Sequence, residues 1–313
     1  GPAAAAAGGE VRAAVPSRYC CVAVCAAGGP VEVERVREAA LDIASGGGAV
    51  HLGRVQATSV DVDAGDGGTI EAGEVSGMTV ALRAGGPVRG ARLVGREVAV
   101  RGAPIVFDAA LGARIDLDTG GAPAAVEART LSADSSLLLS LESRGGGAGG
   151  GQGGEEGGLV RSHGGPITLG AVAGAVRVGS GGGTVEVHCT LECHDLEVLS
   201  GGGDVRCSLA PGIEALVDVA GTGVAVALEG ASMRLEVDTG PEGSREGRGG
   251  VRGSLSVGET AASAGRLGRG PDPGEPLRLR IRPEGGRVVL RERSWLDGLR
   301  EKSGAGVTSE GVQ

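Results

Sequence analysis

The feature that most constrains the fold is a short pattern that the chain repeats, in which alternating apolar residues run into a glycine turn and then resume. The clearest copies are "GAVRVGSGGGTVEV" and "LEVLSGGGDVRC", both within residues 166–209. Alternation with a period of two places the apolar side chains on one face of a strand, and consecutive glycines favour a turn. Each copy therefore predicts a strand, a glycine turn and a second strand.

The pattern recurs along most of the chain at a nearly constant spacing. Its phase is marked by the last apolar residue before each turn: Ile43, Val62, Leu82, Val100, Leu117, Val178, Val198, Val219 and Val237. Apart from one interruption after Leu117, the marks lie about 17 to 21 residues apart, the period of a solenoid. A unit this short cannot bury its own apolar face and must stack on its neighbours. We therefore predict roughly nine or ten coils, about 45 Å long at the usual strand spacing.

The composition supports a thin solenoid over a thick domain. The chain has 313 residues, of which 64 are glycine, and Tyr19, Phe107 and Trp295 are its only aromatic residues. A core filled by Val, Leu, Ile and Ala must be narrow, because protein interiors are packed at near-crystalline density. The predicted fold class is all-β: a parallel β-solenoid (β-helix) of about 20-residue coils, with a short C-terminal capping helix.

The pattern also sets expected boundaries in the first three quarters of the chain. Small residues at 1–9 predict a disordered tail, and alternation at 10–36 predicts an N-terminal strand cap. Solenoid coils are expected over 37–240. Within them, the run "SRGGGAGGGQGGEEGG" at 143–158 predicts a flexible loop inserted between coils.

The last quarter is less regular. Residues 241–276 form a low-complexity linker or an interrupted coil, in which "VRGSLSV" is a candidate strand. Residues 277–303 predict closing strands followed by the capping helix at 294–302, where Ser294 is placed as an N-cap. Residues 304–313 predict a second disordered tail.

Charge and cysteine placement argue against several classes of protein. The formal net charge of -9 speaks against nucleic-acid binding, which needs a basic surface. The apolar run at 20–27 is too short to cross a bilayer, which takes about 20 apolar residues, so no integral membrane segment is predicted. The six cysteines form two distant groups without the spacing of a disulfide scaffold, and we interpret them as reduced thiols.

The serial units, for example "LDIASGGGAVHLGRVQATSVDVDAGDGGTI", resemble the adhesin-like family, a domain of unknown function widespread in bacteria, and most closely its eukaryotic relatives. The resemblance covers about residues 31–240. It implies a right-handed parallel β-solenoid without catalytic residues, and an intracellular location, with the mitochondrion among the compartments. Because the chain starts with Gly1 and not with Met, we expect that its native N-terminus, with any targeting segment, is missing.

The densest group of polar residues is "HCTLECH" at 188–194, followed by Cys207 about one coil later. Its weak candidate metal ligands are His188, Cys189, Cys193 and His194. Strand alternation places the two thiols and Leu191 on one face and the two imidazoles on the other. The spacing also lacks a Cys-x-x-Cys hairpin, so buried core thiols are favoured over a zinc site.

Aspartates recur beside the glycine turns, as in calcium-binding β-rolls. They are Asp61, Asp63, Asp116, Asp118 and Asp204. The β-roll repeat has Gly-Gly-x-Gly-x-Asp in tandem, whereas "SGGGDV" places its aspartate one position early, so a solvated strand face is the favoured interpretation. His163 lies in a "SHGG" turn, and a catalytic role there would need a partner residue.

These observations favour a non-enzymatic protein-interaction or scaffold protein without a cofactor, whose partner is another protein of unknown identity. A carbohydrate-active or carbohydrate-binding β-helix is the alternative, since such folds place carboxylates in a groove along parallel strands. A metal-binding module at the second cysteine group is the second alternative. The oligomeric state is left open.

Overall fold

The computed structural model describes residues 21–133, 157–221, 225–229, 233–237, 250–257 and 276–293. Its 18 elements are all β-strands of one sheet, wound as a parallel β-solenoid of about eight turns. The predicted all-β solenoid is thereby confirmed, while its handedness stays a prediction. The predicted capping helix at 294–302 and both predicted tails lie outside the described residues.

The first nine strands are β1 (Cys21–Cys25), β2 (Val31–Ala44), β3 (Ala49–Asp63), β4 (Thr69–Arg83), β5 (Val88–Arg101), β6 (Ile105–Gly112), β7 (Arg114–Asp118), β8 (Val126–Ala133) and β9 (Gly157–Arg161). The remaining nine are β10 (Ile167–Gly179), β11 (Val185–Leu199), β12 (Val205–Leu209), β13 (Glu214–Ala220), β14 (Ala225–Glu229), β15 (Met233–Val237), β16 (Gly250–Val257), β17 (Leu277–Arg282) and β18 (Arg287–Glu292).

Each regular coil contributes one segment to each of two sheet faces. We call the face that contains residues 31–37 face A and the face that contains residues 40–44 face B. Parallel pairing keeps equivalent positions aligned from coil to coil, so one inward column of face A consists entirely of buried β-branched residues. They are Val31, Val50, Ile70, Val88, Ile105, Val126, Ile167, Val185, Val205 and Val288. Such side chains pack well on a pleated surface, and burying each contributes about 1.5–3 kcal/mol.

The Ser-Gly-Gly-Gly turns form the corner between face B and the next segment of face A. Here a side chain on the third glycine has no room: a Cβ on Gly183 would lie 2.0 Å from the carbonyl oxygen of Gly165 in the coil before it. The first two glycines, Gly181 and Gly182, have φ angles of 62° and 114°, which favour glycine. The prediction that glycine is needed at this corner is therefore explained by two separate requirements.

The serine of the same corner also has a structural role, which the sequence pattern did not predict. Ser180 is fully buried, and its hydroxyl lies 2.7 Å from the Gly183 carbonyl oxygen and 2.9 Å from that of Ser200 in the next coil. Ser45 and Ser200 make equivalent contacts in their own coils. Since a buried hydroxyl needs a partner, each serine ties its own turn to the next one.

The narrow core accepts one aromatic residue in the described part of the chain. Phe107 is 2% exposed. Its ring occupies the space above Gly90, where a Cβ would lie 2.6 Å from the Phe107 Cε1 atom. A larger residue at 90 would therefore exclude the ring.

At the C-terminal end, the order of strands in the stack departs from their order in the chain. β17 pairs in parallel with β11 on one side and with β13 on the other. β18 lies in the same way between β12 and β14. β16 then adds to β13 and β15 adds to β16, both antiparallel. The last strand pair in the sequence is thus intercalated between coils formed earlier in the chain.

This arrangement corrects two expectations. The phase marks Val219 and Val237 do not belong to successive coils, because β13 follows β17 in the stack and β15 runs antiparallel to its neighbour. The predicted closing strands likewise do not end the stack, since β17 lies between β11 and β13 and β18 lies between β12 and β14. The candidate strand "VRGSLSV" is confirmed as part of β16.

Two boundaries also differ from those expected. β2 runs without a break through the predicted end of the cap at residue 36, because its alternation already has the phase of the coils. β9 begins at Gly157, inside the loop predicted at 143–158. The rest of that loop lies outside the described residues.

Candidate functional site

The thiols singled out in the sequence lie together inside the solenoid. Cys189, Cys193 and Cys207 are buried, and the Sγ atoms of Cys189 and Cys207 are 3.8 Å apart. Hydrogen bonds to Cys193 and Cys207, reinforced by burial, raise the pKa of the Cys189 thiol well above its ordinary value. Because the thiolate is the form that binds metals and attacks electrophiles, the Cys189 thiol is an inert core group.

The two histidines of the same segment point away from this cluster, as predicted. His194 is exposed and His188 is half-buried. Burial, followed by the charges of Arg293 and Arg291, lowers the pKa of His188, so its ring is neutral at pH 7. In the ranges that the structure describes, no three His, Cys, Asp or Glu side chains are arranged to hold a metal ion.

The expected position of Leu191 beside the thiols is wrong, since its side chain is 68% exposed. Leu191 and Glu192 both face solvent, so the alternation is interrupted here, and it slips by one residue between the buried Cys193 and the buried Leu196. The slip coincides with register shifts in the pairing of β10 with β11, where the chain turns from face A to face B. Strict alternation does not hold around a corner, although it holds along each face.

The aspartates beside the glycine turns stabilise the corners. Asp63 Oδ1 accepts a hydrogen bond from the backbone N–H of Gly65 at 2.8 Å. Asp204 Oδ1 accepts one from the backbone N–H of Arg287 at 2.9 Å, in the intercalated coil. Such bonds satisfy backbone donors that have no partner in a strand ladder. These two positions therefore have a local structural role.

Other outward charges pair with the neighbouring coil. Arg83 Nη1 lies 2.6 Å from Asp61 Oδ1, and Arg177 Nε lies 2.6 Å from Glu197 Oε2. At least one side chain of each pair is about half exposed, and such surface pairs typically contribute less than about 1 kcal/mol. They match the predicted solvated face and do not form a site.

His163 has a partner that the sequence did not reveal. Its Nε2 atom lies 2.9 Å from Asp118 Oδ1, although the two residues are 45 positions apart. Burial raises the pKa of Asp118, but hydrogen bonds from Gly120 and His163 and the charge of Arg161 outweigh it and hold that pKa below its ordinary value. The nearby Ser162 hydroxyl is buried and bonded to the Gly165 carbonyl oxygen, so it does not form a catalytic triad with this pair.

A groove of about 560 Å³ opens on face A across the first four coils. We call it the glycine groove. It is lined by Glu32, Val33, Glu34, His51, Leu52, Gly53, Glu71, Ala72, Gly73, Arg89 and Gly90. Its size lies within the usual range for ligand sites, about 300–1,000 Å³.

The groove exists because an outward column of face A lacks side chains. In register, Glu34, Gly53 and Gly73 occupy equivalent positions on β2, β3 and β4. A Cβ on Gly73 would lie 2.6 Å from the Gly53 carbonyl oxygen, and a Cβ on Gly53 would lie 2.4 Å from that of Glu34. The close approach of the strands therefore requires glycine, and the missing side chains leave a channel that runs along the stack.

The wall of the groove is acidic. Glu32, His51 and Glu71 form the adjacent outward column, and His51 Nδ1 lies 3.1 Å from Glu71 Oε2. Glu32 on the wall and Glu34 at one end have no charged partner among the described residues. The groove thus combines carboxylates that have no charged partner among the described residues with a floor of backbone, since the side chains of Leu52 and Ala72 point into the core.

The groove was not predicted from the sequence, although two signals for it were present. Gly53 and Gly73 fall at the same phase of two successive coils, outside the glycine turns, and Glu71 stands two residues before Gly73. Their meaning depends on the register, which places Gly53 beside Gly73 and Glu32 two strands from Glu71.

None of the described elements is a helix with the length and apolar character needed to cross a membrane. Comparisons with protein-family models, curated proteins and solved structures found no match to this chain.

Proposed function

We propose that this protein is a non-enzymatic interaction scaffold that binds a protein partner through the glycine groove. The observation that carries the proposal is the pair of carboxylates, Glu32 and Glu34, which have no charged partner among the described residues and lie beside a channel with a floor of backbone. Stacked coils provide an extended, repetitive surface, which is how solenoid proteins typically bind their partners. A groove on such a surface supplies the concave element that a flat face lacks.

The carbohydrate alternative has less support. Carboxylates do line the groove, as in polysaccharide-cleaving solenoids. Its lining residues, however, include no aromatic side chain on which a sugar ring could stack. The metal alternative has less support as well, because the raised pKa of Cys189 keeps that thiol in the form that does not bind metals.

We also propose a relationship to the adhesin-like solenoids and an intracellular location, on the strength of the repeat resemblance. The corner contacts support this relationship, because they account for the Ser-Gly-Gly-Gly sequence that recurs in the repeat units.

The proposal is tested with a groove variant, Glu32→Gln/Glu34→Gln/Glu71→Gln, and a matched control, Glu127→Gln. Glu127 is exposed and belongs to the same outward column as Glu71, but it lies outside the groove. Proteins retained from a cell extract are quantified by mass spectrometry, and each candidate partner is then purified and titrated against all three forms.

We expect at least one purified partner to bind wild type and Glu127→Gln equally and the groove variant about tenfold more weakly, since a hydrogen bond to a charged group is worth about 1.5–3 kcal/mol. Equal binding of every partner to all three forms would refute the glycine groove as the docking site. Circular dichroism confirms that each variant is folded.

A further inference from the structure

The wall of the glycine groove has a defined spacing of charge along the stack. Glu32, His51 and Glu71 occupy aligned positions on three neighbouring parallel strands. Parallel strands lie about 4.8 Å apart, so the backbone positions of Glu32 and Glu71 are about 10 Å apart. A ligand that lies along the groove meets these two carboxylates in turn.

This spacing discriminates between extended conformations of a bound peptide. A polyproline II helix has three residues per turn and rises about 3.1 Å per residue, so residues i and i+3 lie on the same side about 9 Å apart. In a β-strand, residues on the same side are about 7 Å or 13 Å apart, because the side chains alternate. Only the polyproline II spacing matches the distance between the two carboxylates.

The chemistry of the groove favours basic side chains at those two positions. Glu32 has no charged partner among the described residues, and Glu71 contacts only the imidazole of His51 there. The aliphatic stems of arginine or lysine can lie along the backbone floor at Gly53 and Gly73 while their charged ends reach the wall. Arginine suits the site best, because its planar guanidinium can bind a carboxylate through two parallel hydrogen bonds.

The ends of the groove limit the length of the segment. Arg89 continues the wall column beyond Glu71 and would repel a third basic residue. Glu34 stands in the floor column at the opposite end, next to Gly53. The four strands span about 14 Å, which accommodates about five residues in a polyproline II conformation.

We infer that the glycine groove binds a segment of a partner protein in the polyproline II conformation, with two basic residues three positions apart. The inference rests on the proposed function and specifies its ligand. At Gly53 and Gly73 no side chain stands between the ligand and the backbone of the floor. The negative charges of Glu32 and Glu71 and the distance between these residues therefore select the ligand together.

The test uses three fluorescent peptides of identical composition that differ only in the spacing of their arginines: PRPPRP, PRPRPP and PRPPPR. Binding to the full chain is measured by fluorescence anisotropy. We expect PRPPRP to bind at least about fivefold more tightly than either isomer, and Glu32→Gln/Glu71→Gln to remove this preference. The control Glu127→Gln should retain it. Equal affinity for the three isomers, or an unchanged preference in the groove variant, would overturn the inference.

A second copy of the chain is the competing occupant, since Arg245 and Arg248, and likewise Arg266 and Arg269, have the same spacing. Sedimentation velocity over a range of concentrations tests this occupant. The partner-protein inference would be overturned if the chain self-associates and this association is lost in Glu32→Gln/Glu71→Gln and also in one of two arginine variants. These variants are Arg266→Gln/Arg269→Gln and Arg245→Gln/Arg248→Gln. Concentration-independent sedimentation supports it.

The outcomes for the inference and for the proposed function are separable. If the peptides do not bind but a purified partner still depends on the groove carboxylates, the polyproline II ligand is refuted and the scaffold function stands. If neither binds, both are refuted.

Discussion

The first coils and the C-terminal end of this solenoid are built from the same repeat but are assembled differently. Each of β2, β3 and β4 pairs with the strand that follows it in the chain. In contrast, β17 lies between β11 and β13, and Asp195 pairs with Arg278, 83 residues later. The repeat therefore defines what a coil is, whereas it does not define where in the stack that coil is placed.

The intercalated strands fit because they follow the same template. Leu279 is fully buried and lies in register between Leu196 and Val217. The turn at 283–286 stacks on the preceding corner, where the N–H of Gly202 donates to the Pro283 carbonyl oxygen at 2.8 Å. A long connection adds little to the cost of closure, which grows only with the logarithm of its length.

The largest expected effect comes from removing the intercalated strands. A chain that ends at residue 276 lacks β17 and β18, so β13 and β14 lose the parallel partners that join them to β11 and β12. Hydrogen exchange measured by mass spectrometry should show β13 becoming unprotected while β3 and β4 keep their protection. A chain that ends at residue 293 is the control. Unchanged protection of β13 in the shorter chain would mean that intercalation does not hold the end together.

A smaller but still large effect is expected from adding one methyl group at the corner in each region. A Cβ on Gly48 would lie 2.1 Å from the Gly29 carbonyl oxygen, and one on Gly286 would lie 2.2 Å from that of Gly203. Gly48→Ala and Gly286→Ala should each destabilise the protein by about 3–5 kcal/mol in urea unfolding, because backbone atoms must move. Gly29→Ala, with no atom within 4 Å of its Cβ, is the control. A mild effect of Gly286→Ala alone would show that the intercalated corner is loosely packed.

The smallest of these effects is expected from the corner serines. The Ser45 hydroxyl lies 2.9 Å from the Gly48 carbonyl oxygen and 3.1 Å from that of the next coil. The Ser200 hydroxyl lies 2.7 Å from the Gly203 carbonyl oxygen and 3.1 Å from that of Pro283 in the intercalated coil. Ser45→Ala and Ser200→Ala should each cost about 1–2 kcal/mol in urea unfolding. The Ser76 hydroxyl lies 3.4 Å from the Val55 carbonyl oxygen, so Ser76→Ala should reduce the free energy of unfolding by less. Clearly unequal costs at 45 and 200 would contradict the equivalence of the two corners.

The possible functional groups were predictable to different degrees. Alternation correctly placed Cys189 in the core, because this residue lies on a strand segment whose inward face is set by the repeat, and Cys193 is buried as well although it lies at the corner. It failed for Leu191, which lies at a corner where the alternation slips. The contact between His163 and Asp118 was not predictable either, since an insertion separates the two strands that bring them together.

The sequence by itself determined the coil: its strands, its glycine turns, its narrow aliphatic core and the outward direction of its charges. These follow from local rules, because a period of two selects a strand face and the positive φ angles of the corner favour glycine. Only the tertiary structure decided the order of coils at the C-terminal end and the existence of the glycine groove. Every coil presents a similar parallel edge, so local pattern cannot specify which strand pairs with which, and the register that aligns Gly53 with Gly73 and Glu32 with Glu71 is a property of the stack.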